Sequence, residues 1–140
     1  ESMDTWPFMG VKIYSVPDFA YQDDEAVHIW DWKTGKPREE DWFQLHTYAL
    51  YACEKWSADP ENIVLHAAYL NEERVDSQPV EIHRLSEVQD KMSTSVREMM
   101  EIHYDPDVDE LVPENWPTSG APDACGYCRF RGICEAAGSV

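Results

Sequence analysis

Five side chains in the first third of the chain have the types and the order that phosphate-ester chemistry needs. They are Asp18, Asp31, Lys33, Gln44 and Tyr48. Two carboxylates can bind a Mg²⁺ ion, which prefers oxygen ligands and keeps several waters or substrate oxygens. A lysine beside them would place an ammonium group where a scissile phosphate develops charge. The set therefore predicts metal-assisted hydrolysis of a phosphate ester, provided that the fold brings the five side chains together.

The two acids and the lysine fall on two predicted strands that form a hairpin. Alternating apolar residues predict one strand over residues 11–21 and a second over residues 26–33. The two-residue period of the second strand places Asp31 and Lys33 on one face. If the strands pair, Asp18 can share a metal ion with Asp31. The predicted metal ligands are Asp18, Asp31 and the backbone carbonyl of Trp32.

A helix carries the other two members of the set. Apolar residues at three- and four-residue steps predict a helix that begins near Glu39 and ends at Asp59. Gln44 and Tyr48 are four residues apart, so they share one face of this helix. From that face they can reach Lys33 or a substrate phosphate.

The later segments complete an α/β order. A nearly continuous apolar run over residues 62–70 predicts a buried strand, and residues 78–84 predict a shorter one. A capping motif at Ser86 predicts the start of a helix that runs to about His103. Four prolines make residues 105–123 an irregular crossing segment. The predicted order is β-β-α-β-β-α followed by a tail.

The composition favours a single folded domain with an unusual charge. The 140 residues carry 28 Asp and Glu against 11 Lys and Arg, for a net charge of −17. A free-standing nucleic-acid binder usually has the opposite sign, so phosphate chemistry here requires a larger assembly, a high-salt cytoplasm or screening by divalent cations. The sequence contains no run of about 18 apolar residues and no visible signal peptide, which predicts a cytoplasmic protein without a membrane contact.

Three of the four cysteines are crowded near the C-terminus. Cys125, Cys128 and Cys134 form a C-x2-C-x5-C pattern, whose thiolates can surround one soft metal centre. A closed zinc site or a [4Fe–4S] cluster needs four ligands, and only three are local. Cys53 lies on the apolar side of the predicted helix and is more typical of a core residue. Three free or partly oxidised cysteines therefore remain the alternative.

Taken in order, the motifs around the acids and the lysine resemble the PD-(D/E)XK nuclease superfamily, in particular its RecB-type branch. Asp18 falls at the first aspartate of the family, Asp31 and Lys33 at its D-x-K, and Gln44 with Tyr48 at its Q-x-x-x-Y motif. The branch includes the nuclease domains of bacterial recombination helicase–nucleases and the CRISPR adaptation exonucleases. The resemblance implies Mg²⁺- or Mn²⁺-dependent, exonuclease-like hydrolysis of DNA in repair, recombination, or phage or CRISPR processing.

The same resemblance implies an architecture. A restriction-endonuclease-like α/β fold has a central mixed sheet flanked by helices, here residues 1–104. Residues 105–140 would then form an irregular, Cys-rich tail of the same domain. Several RecB-type nucleases join three C-terminal cysteines to one cysteine upstream of the nuclease motifs and bind [4Fe–4S]. Only 17 residues precede Asp18 and none is cysteine, so we expect the chain to be either the C-terminal part of a longer protein or a shortened relative. In either case the fourth ligand and the family's N-terminal helix are not evident in it.

Few basic residues lie near the motifs, and these are the expected contacts to DNA phosphates. They are Lys36, Arg38, Arg129 and Arg131.

Two other functions stay open at this point. The net charge favours a non-catalytic DNA-end or protein-docking module of a larger polypeptide or complex. The cysteines favour an iron–sulfur protein for redox chemistry or sensing. Retention of all five side chains favours catalysis, because a docking module needs none of them, although a D-x-K pair alone is common as a solvated surface ion pair.

Overall fold

The computed structural model describes residues 4–101, 104–105, 110–111, 122–129, 131–132 and 134. The chain divides into two compact units, residues 1–97 and 98–140. The strands are β1 (Trp6–Phe8), β2 (Val11–Ile13), β3 (Phe19–Gln22), β4 (Val27–Lys33), β5 (Ile63–Tyr69), β6 (Arg74–Pro79), β7 (Tyr104–Asp105) and β8 (Glu110–Leu111). The helices are α1 (Glu39–Trp56), α2 (Ile82–Glu101) and α3 (Pro122–Tyr127).

The first unit is built on a four-stranded mixed sheet in the order β3-β4-β5-β6. β4 pairs antiparallel with β3 and parallel with β5, and β6 returns antiparallel to β5. The parallel pair requires a crossover connection, which α1 supplies between β4 and β5. The expected α/β architecture, a central mixed sheet flanked by helices, is confirmed.

One face of this sheet forms the core under α1. The side chains of β4 alternate, so Val27 and Ile29 are buried on that face together with Leu65 of β5. Leu45 and Ala49 of α1 belong to the same apolar cluster. Burial of each large apolar side chain contributes about 1.5–3 kcal/mol, and this contact fixes α1 above the end of β4.

The residues before β3 differ from the predicted strand over 11–21. The segment from Ser15 to Asp18 is irregular, and an unpredicted hairpin of β1 and β2 lies upstream. Its turn places Met9 (φ 50°) and Gly10 (φ 82°) in the left-handed region, the geometry that two-residue hairpin turns favour. Pro17, without an N–H to donate, lies in the irregular stretch that precedes the edge strand β3.

Two boundaries later in the chain were also predicted wrongly. The strand expected at 78–84 lies instead at Arg74–Pro79, and the helix expected from Ser86 begins four residues earlier at Ile82. Ser86 does not cap that helix, because its hydroxyl donates to the Ile82 carbonyl inside the first turns. The residues of β6 have low strand propensity, but they form a strand because the exposed edge of β5 supplies hydrogen-bond partners.

The second unit contains β7, β8 and α3, and β7 pairs antiparallel with β8. Most of the crossing segment predicted at residues 105–123 lies outside the described residues, as do residues 102–103 at the predicted end of α2. None of the described helices is both long enough and apolar enough to cross a membrane.

A chain of polar side chains links strands β4, β5 and β6 on the sheet face opposite α1. Ser77 lies 2.7 Å from Nδ1 of His66, Nε2 of His66 lies 2.9 Å from Nδ1 of His28, and Nε2 of His28 lies 3.0 Å from Oδ2 of Asp23. One pair of neutral tautomers satisfies every link, with each ring donating from Nε2 and accepting at Nδ1. Burial, and then the neighbouring His28, lower the pKa of His66.

Acidification is therefore expected to weaken the fold through this chain. Because the pKa of His66 is lower in the folded protein than the ordinary value of about 6.5, the unfolded chain binds the proton more readily. The stabilisation is complete above about pH 6.5 and is lost as the pH falls below that value. Urea unfolding followed between pH 7.5 and pH 5.5 should show the loss, and His66→Gln should reduce its slope.

His46 contributes to the pH dependence of stability that remains in the His66→Gln variant. Burial also lowers the pKa of His46, so the His66→Gln variant should keep part of the pH dependence. An unchanged slope in His66→Gln would contradict the role assigned to the chain.

Candidate active site

The candidate site begins with a buried ion pair at the end of β4. Asp31 is only 3% exposed, and its Oδ2 lies 2.6 Å from Nζ of Lys33. The two side chains share a face because they are two residues apart in a strand. β5 runs alongside in parallel, with Ala67 opposite Asp31 and Tyr69 opposite Lys33.

Two side chains of α1 hold this pair in place. Lys33 donates from Nζ to Oε1 of Gln44 at 2.5 Å, and Gln44 donates from Nε2 to the hydroxyl of Tyr48 at 2.5 Å. Tyr48 in turn donates to Oδ1 of Asp31 across 3.4 Å. Burial, and to a smaller degree the charge of Asp31, raise the pKa of Tyr48, so its hydroxyl remains a donor at neutral pH.

Asp18 reaches the same place from the neighbouring strand. It directly precedes β3, one residue beyond the pair of Phe19 with Trp30. Its Oδ2 accepts a hydrogen bond of 2.8 Å from the backbone N–H of Trp32. Asp18 is exposed to solvent whereas Asp31 is buried. The structure therefore brings together all five residues singled out by the sequence: Asp18, Asp31, Lys33, Gln44 and Tyr48.

Asp41 is a sixth polar residue of this site, which the motifs of the sequence did not single out. Its Oδ1 lies 3.8 Å from Nζ of Lys33, and its Oδ2 accepts from the backbone N–H of Arg38 at 2.9 Å. The hydroxyl of Tyr69, whose pKa burial raises to about 12, donates to the same oxygen at 3.0 Å. The signal was present, because Asp41 precedes Gln44 by three residues and so shares its helix face.

The arrangement fits a small divalent cation with oxygen ligands. Oδ2 of Asp31 is buried against the ammonium of Lys33, which lies 2.6 Å away, and accepts no further hydrogen bond. The Asp18 carboxylate is tied to the adjacent residue Trp32. Two carboxylates leave the remaining ligand positions to water and substrate oxygens, which suits Mg²⁺ or Mn²⁺. Over the described ranges, no three His, Cys, Asp or Glu side chains converge as a group that could hold a metal ion by themselves.

The other predicted contact residues lie in both units. Lys36 and Arg38 are exposed in the loop between β4 and α1, close in sequence to Lys33. Arg129 and Arg131 are exposed in the second unit.

The cysteines remain free thiols where the structure describes them. Cys125 and Cys134 are half-buried and Cys128 is exposed, and these three belong to the second unit. Within the described part of the chain, they do not form a group able to hold a metal ion. Cys53 packs against the core cluster of the first unit, and burial raises the pKa of its thiol, as expected for a core residue.

Comparison with protein families agrees with this geometry. The model of the PD-(D/E)XK nuclease superfamily matches residues 2–135. The chain belongs to this superfamily. Comparison with individual curated proteins gave no match. The PD-(D/E)XK assignment covers the sheet and α1, which carry the five predicted residues. The RecB-type branch and the iron–sulfur cluster stay predictions.

Divalent cations should stabilise the protein through the two carboxylates. A ligand that binds only the folded state at 100 times its dissociation constant adds about 2.7 kcal/mol, so Mg²⁺ or Mn²⁺ should raise the melting temperature and EDTA should reverse the rise. Asp31→Asn removes one ligand charge at nearly constant shape and should abolish most of the shift. Asp18→Asn should do the same. Differential scanning calorimetry measures each case.

A control is needed because a chain with net charge −17 attracts cations everywhere. Asp24 lies exposed in the turn between β3 and β4, so Asp24→Asn removes an equal charge away from the site. That variant should retain the wild-type shift. Equal shifts in Asp24→Asn and Asp31→Asn would show that the cations bind diffusely and that the carboxylate pair is not a site.

Proposed function

We propose that this PD-(D/E)XK domain is a divalent-metal-dependent deoxyribonuclease that hydrolyses phosphodiester bonds. The observation that supports the proposal best is the side-chain circuit of Asp31, Lys33, Gln44 and Tyr48, joined to Asp18 through the backbone of Trp32. A structural ion pair needs neither the amide nor the second carboxylate. A phosphodiester site uses all of these groups.

Each residue has a defined task in this proposal. Asp18 and Asp31, with the carbonyl of Trp32, would bind Mg²⁺ or Mn²⁺. When bound, such an ion polarises a phosphate oxygen and lowers the pKa of a water ligand. Lys33, held by Gln44, directs its ammonium toward the charge that develops on the phosphate.

Tyr48 has a supporting task. Its hydroxyl donates to Asp31 and accepts from Gln44, so it orients both the acid and the amide that holds Lys33. Tyr48 is therefore a positioning residue, since it reaches the substrate only through its neighbours.

The finer features of the proposal rest on the RecB-type motifs. These motifs favour exonuclease-like action in repair, recombination, or phage or CRISPR processing. Lys36 and Arg38 follow Lys33 along the chain and are exposed, so they are the proposed phosphate contacts of the first unit. Arg129 and Arg131 are the proposed contacts of the second unit. The net charge of −17 favours action inside a larger complex that contributes basic surface.

We also propose that the C-terminal cysteines bind a metal centre. The C-x2-C-x5-C spacing of Cys125, Cys128 and Cys134 suits zinc or a [4Fe–4S] cluster with a fourth ligand from elsewhere. Absorbance near 400 nm and metal analysis distinguish zinc from a [4Fe–4S] cluster. Both measurements should compare aerobic with anaerobic preparations.

Substitution of the ion pair should remove nuclease activity and keep the fold. Asp31→Ala and Lys33→Ala should each lower the initial rate of DNA hydrolysis with Mg²⁺ or Mn²⁺ by about 10²- to 10³-fold or more, the range seen when one group that stabilises charge in the transition state is lost. Release of acid-soluble nucleotide from a labelled oligonucleotide measures the rate. Circular dichroism checks that the variants are folded.

Matched surface variants separate the site from general charge effects. Asp24→Ala and Lys12→Ala remove one acid and one base at exposed positions and should hydrolyse DNA at the wild-type rate. Equal rates in the wild type, Asp31→Ala and Lys33→Ala would reject the site. Metal-dependent stabilisation without any hydrolysis would instead support the alternative of a non-catalytic docking module.

A further inference from the structure

The row of polar side chains on the sheet face opposite α1 ends at a serine hydroxyl that is open to solvent. Ser77 lies on β6, the last strand in the order of the sheet, and is exposed. Its hydroxyl contacts Nδ1 of His66, which is linked through His28 to the carboxylate of Asp23. A serine, an imidazole and a carboxylate in hydrogen-bonded order are the parts of an activated nucleophile, and here two imidazoles lie between the serine and the acid.

The carboxylate of Asp23 fixes the direction of the first hydrogen bond in this row. The backbone N–H groups of Glu25 and Ala26 donate to its Oδ1 at 2.9 and 2.8 Å, and they hold the pKa of the carboxyl below its ordinary value. The group is therefore ionised at neutral pH and can only accept. Nε2 of His28, which lies 3.0 Å from Oδ2, must consequently donate.

The same direction continues from ring to ring as far as the serine. A neutral imidazole donates from one nitrogen and accepts at the other, so Nδ1 of His28 accepts from Nε2 of His66 across 2.9 Å. Nδ1 of His66 is then also an acceptor, and the Ser77 hydroxyl donates to it at 2.7 Å. The proton of the serine is thus directed at a basic nitrogen, as general-base activation requires.

Two aromatic rings hold the histidines in this arrangement. Tyr21 stacks on His28 with ring centroids 4.6 Å apart, and Trp30 stacks on His66 at 4.2 Å. Burial lowers the pKa of His66, so its ring is neutral at pH 7 and able to accept a proton.

The register of β6 directs the backbone N–H of Ser77 away from β5. Val80 donates to the carbonyl of Ile63 at 2.9 Å, and in an antiparallel ladder such hydrogen-bonded pairs alternate with pairs that share no hydrogen bond. Three residues before Val80, the pair of Ser77 with His66 is of the second kind. The N–H of Ser77 at this sheet edge can therefore donate to an oxyanion that forms beside its own side chain.

The surroundings of Ser77 favour an uncharged substrate with an apolar group. Residues of a strand alternate between faces, so Val75 and Pro79 of β6 share the face of Ser77, and both are exposed. The four strands place no lysine or arginine on this face, because Lys33 and Arg74 lie on the other one. An anionic substrate would therefore meet the net charge of −17 without a compensating cation from the sheet.

We propose that Ser77 is an activated nucleophile that accepts the acyl group of small uncharged carboxylic esters. Its oxygen bonds to the carbonyl carbon while its proton passes to Nδ1 of His66. The Nε2 proton of His66 can move on to His28, which places the positive charge beside the carboxylate of Asp23. The oxyanion then expels the alcohol, which takes the proton back from His66. Water, deprotonated by the same nitrogen, attacks the acyl-serine, releases the carboxylic acid and restores the hydroxyl.

An alkyl fluorophosphonate tests the nucleophile without a metal ion. An activated serine attacks the phosphorus atom and displaces fluoride, which leaves a stable phosphonyl ester. The whole chain is incubated with this probe in EDTA, and peptide mass spectrometry follows the label over time. Ser77 should be labelled much faster than Ser86, an exposed serine whose hydroxyl donates to the carbonyl of Ile82, because a carbonyl does not take up the proton.

Asp23→Asn is expected to reverse the hydrogen bonds without removing them. The amide oxygen can still accept from the turn while the amide nitrogen donates to His28, so both rings change tautomer and Nδ1 of His66 becomes a donor. The labelling rate of Ser77 should fall by about 10²- to 10⁴-fold, the usual contribution of a general base. Asp23→Glu keeps the carboxylate and should label faster than Asp23→Asn. A purely structural role in the turn would give the opposite order, because asparagine suits this turn better than glutamate.

Further variants separate this inference from the proposed nuclease. His66→Gln should label as slowly as Asp23→Asn, and urea unfolding checks that each variant is folded. p-Nitrophenyl acetate, an uncharged ester, should be hydrolysed faster by the wild type than by Ser77→Ala, which should still hydrolyse DNA at the wild-type rate. Equal labelling of Ser77 and Ser86, or equal rates in the wild type, Asp23→Asn and His66→Gln, would overturn the nucleophile. Equal ester hydrolysis by the wild type and Ser77→Ala would overturn the ester substrate.

Discussion

The ion pair of Asp31 and Lys33 is the interaction around which the first unit is arranged. Burying two opposite charges costs several kcal/mol per ion in lost hydration, and apolar residues of similar volume often give an equally stable core. Here the pair is held by Gln44 and Tyr48, so α1 must pack with one polar helix face toward the end of β4. If stability were the only requirement, the desolvation cost of this buried pair would bring the sheet no advantage. The pair is therefore better understood as a requirement of function that the surrounding apolar cluster accommodates.

The mixed topology of the sheet explains how a buried acid and an exposed acid meet. β4 is an interior strand, so Asp31 is enclosed by β5 on one side and by α1 above. β3 is an edge strand, so Asp18 at its start stays in contact with solvent. The hydrogen bond from the Trp32 backbone to Asp18 joins the interior strand β4 to the start of the edge strand β3. One carboxylate is thus enclosed while the other remains open to solvent.

The sequence predicted the local parts of this site better than the tertiary ones. Asp31 and Lys33 were placed on one face because a strand has a period of two, and Gln44 and Tyr48 because a helix places residues four apart together. The hairpin of β1 and β2 was missed because its short strands depend on tertiary contacts. Trp6 is buried, and the carboxylate of Asp4 accepts hydrogen bonds from Tyr51 and Lys55 of α1. β6 was misplaced because its pairing with β5, and not its own composition, makes it a strand. Asp41 was not singled out, although it shares a helix face with Gln44, because the pattern gave no sign of its contact with Lys33.

The formal charges around Lys33 connect metal binding to substrate binding. Asp18, Asp31 and Asp41 contribute three negative charges and Lys33 one positive charge, which leaves two negative charges at the site. The ammonium of Lys33 lies 2.6 Å from Asp31 and 3.8 Å from Asp41, so its own acids largely neutralise it. A phosphate approaching these groups alone would be repelled, and one divalent cation would cancel the excess. Cation and phosphate should therefore bind with positive coupling, each raising the affinity of the other by the same factor. The acidity of the chain, which argues against a nucleic-acid binder at first, is in this way consistent with a site that accepts phosphate only together with a metal ion.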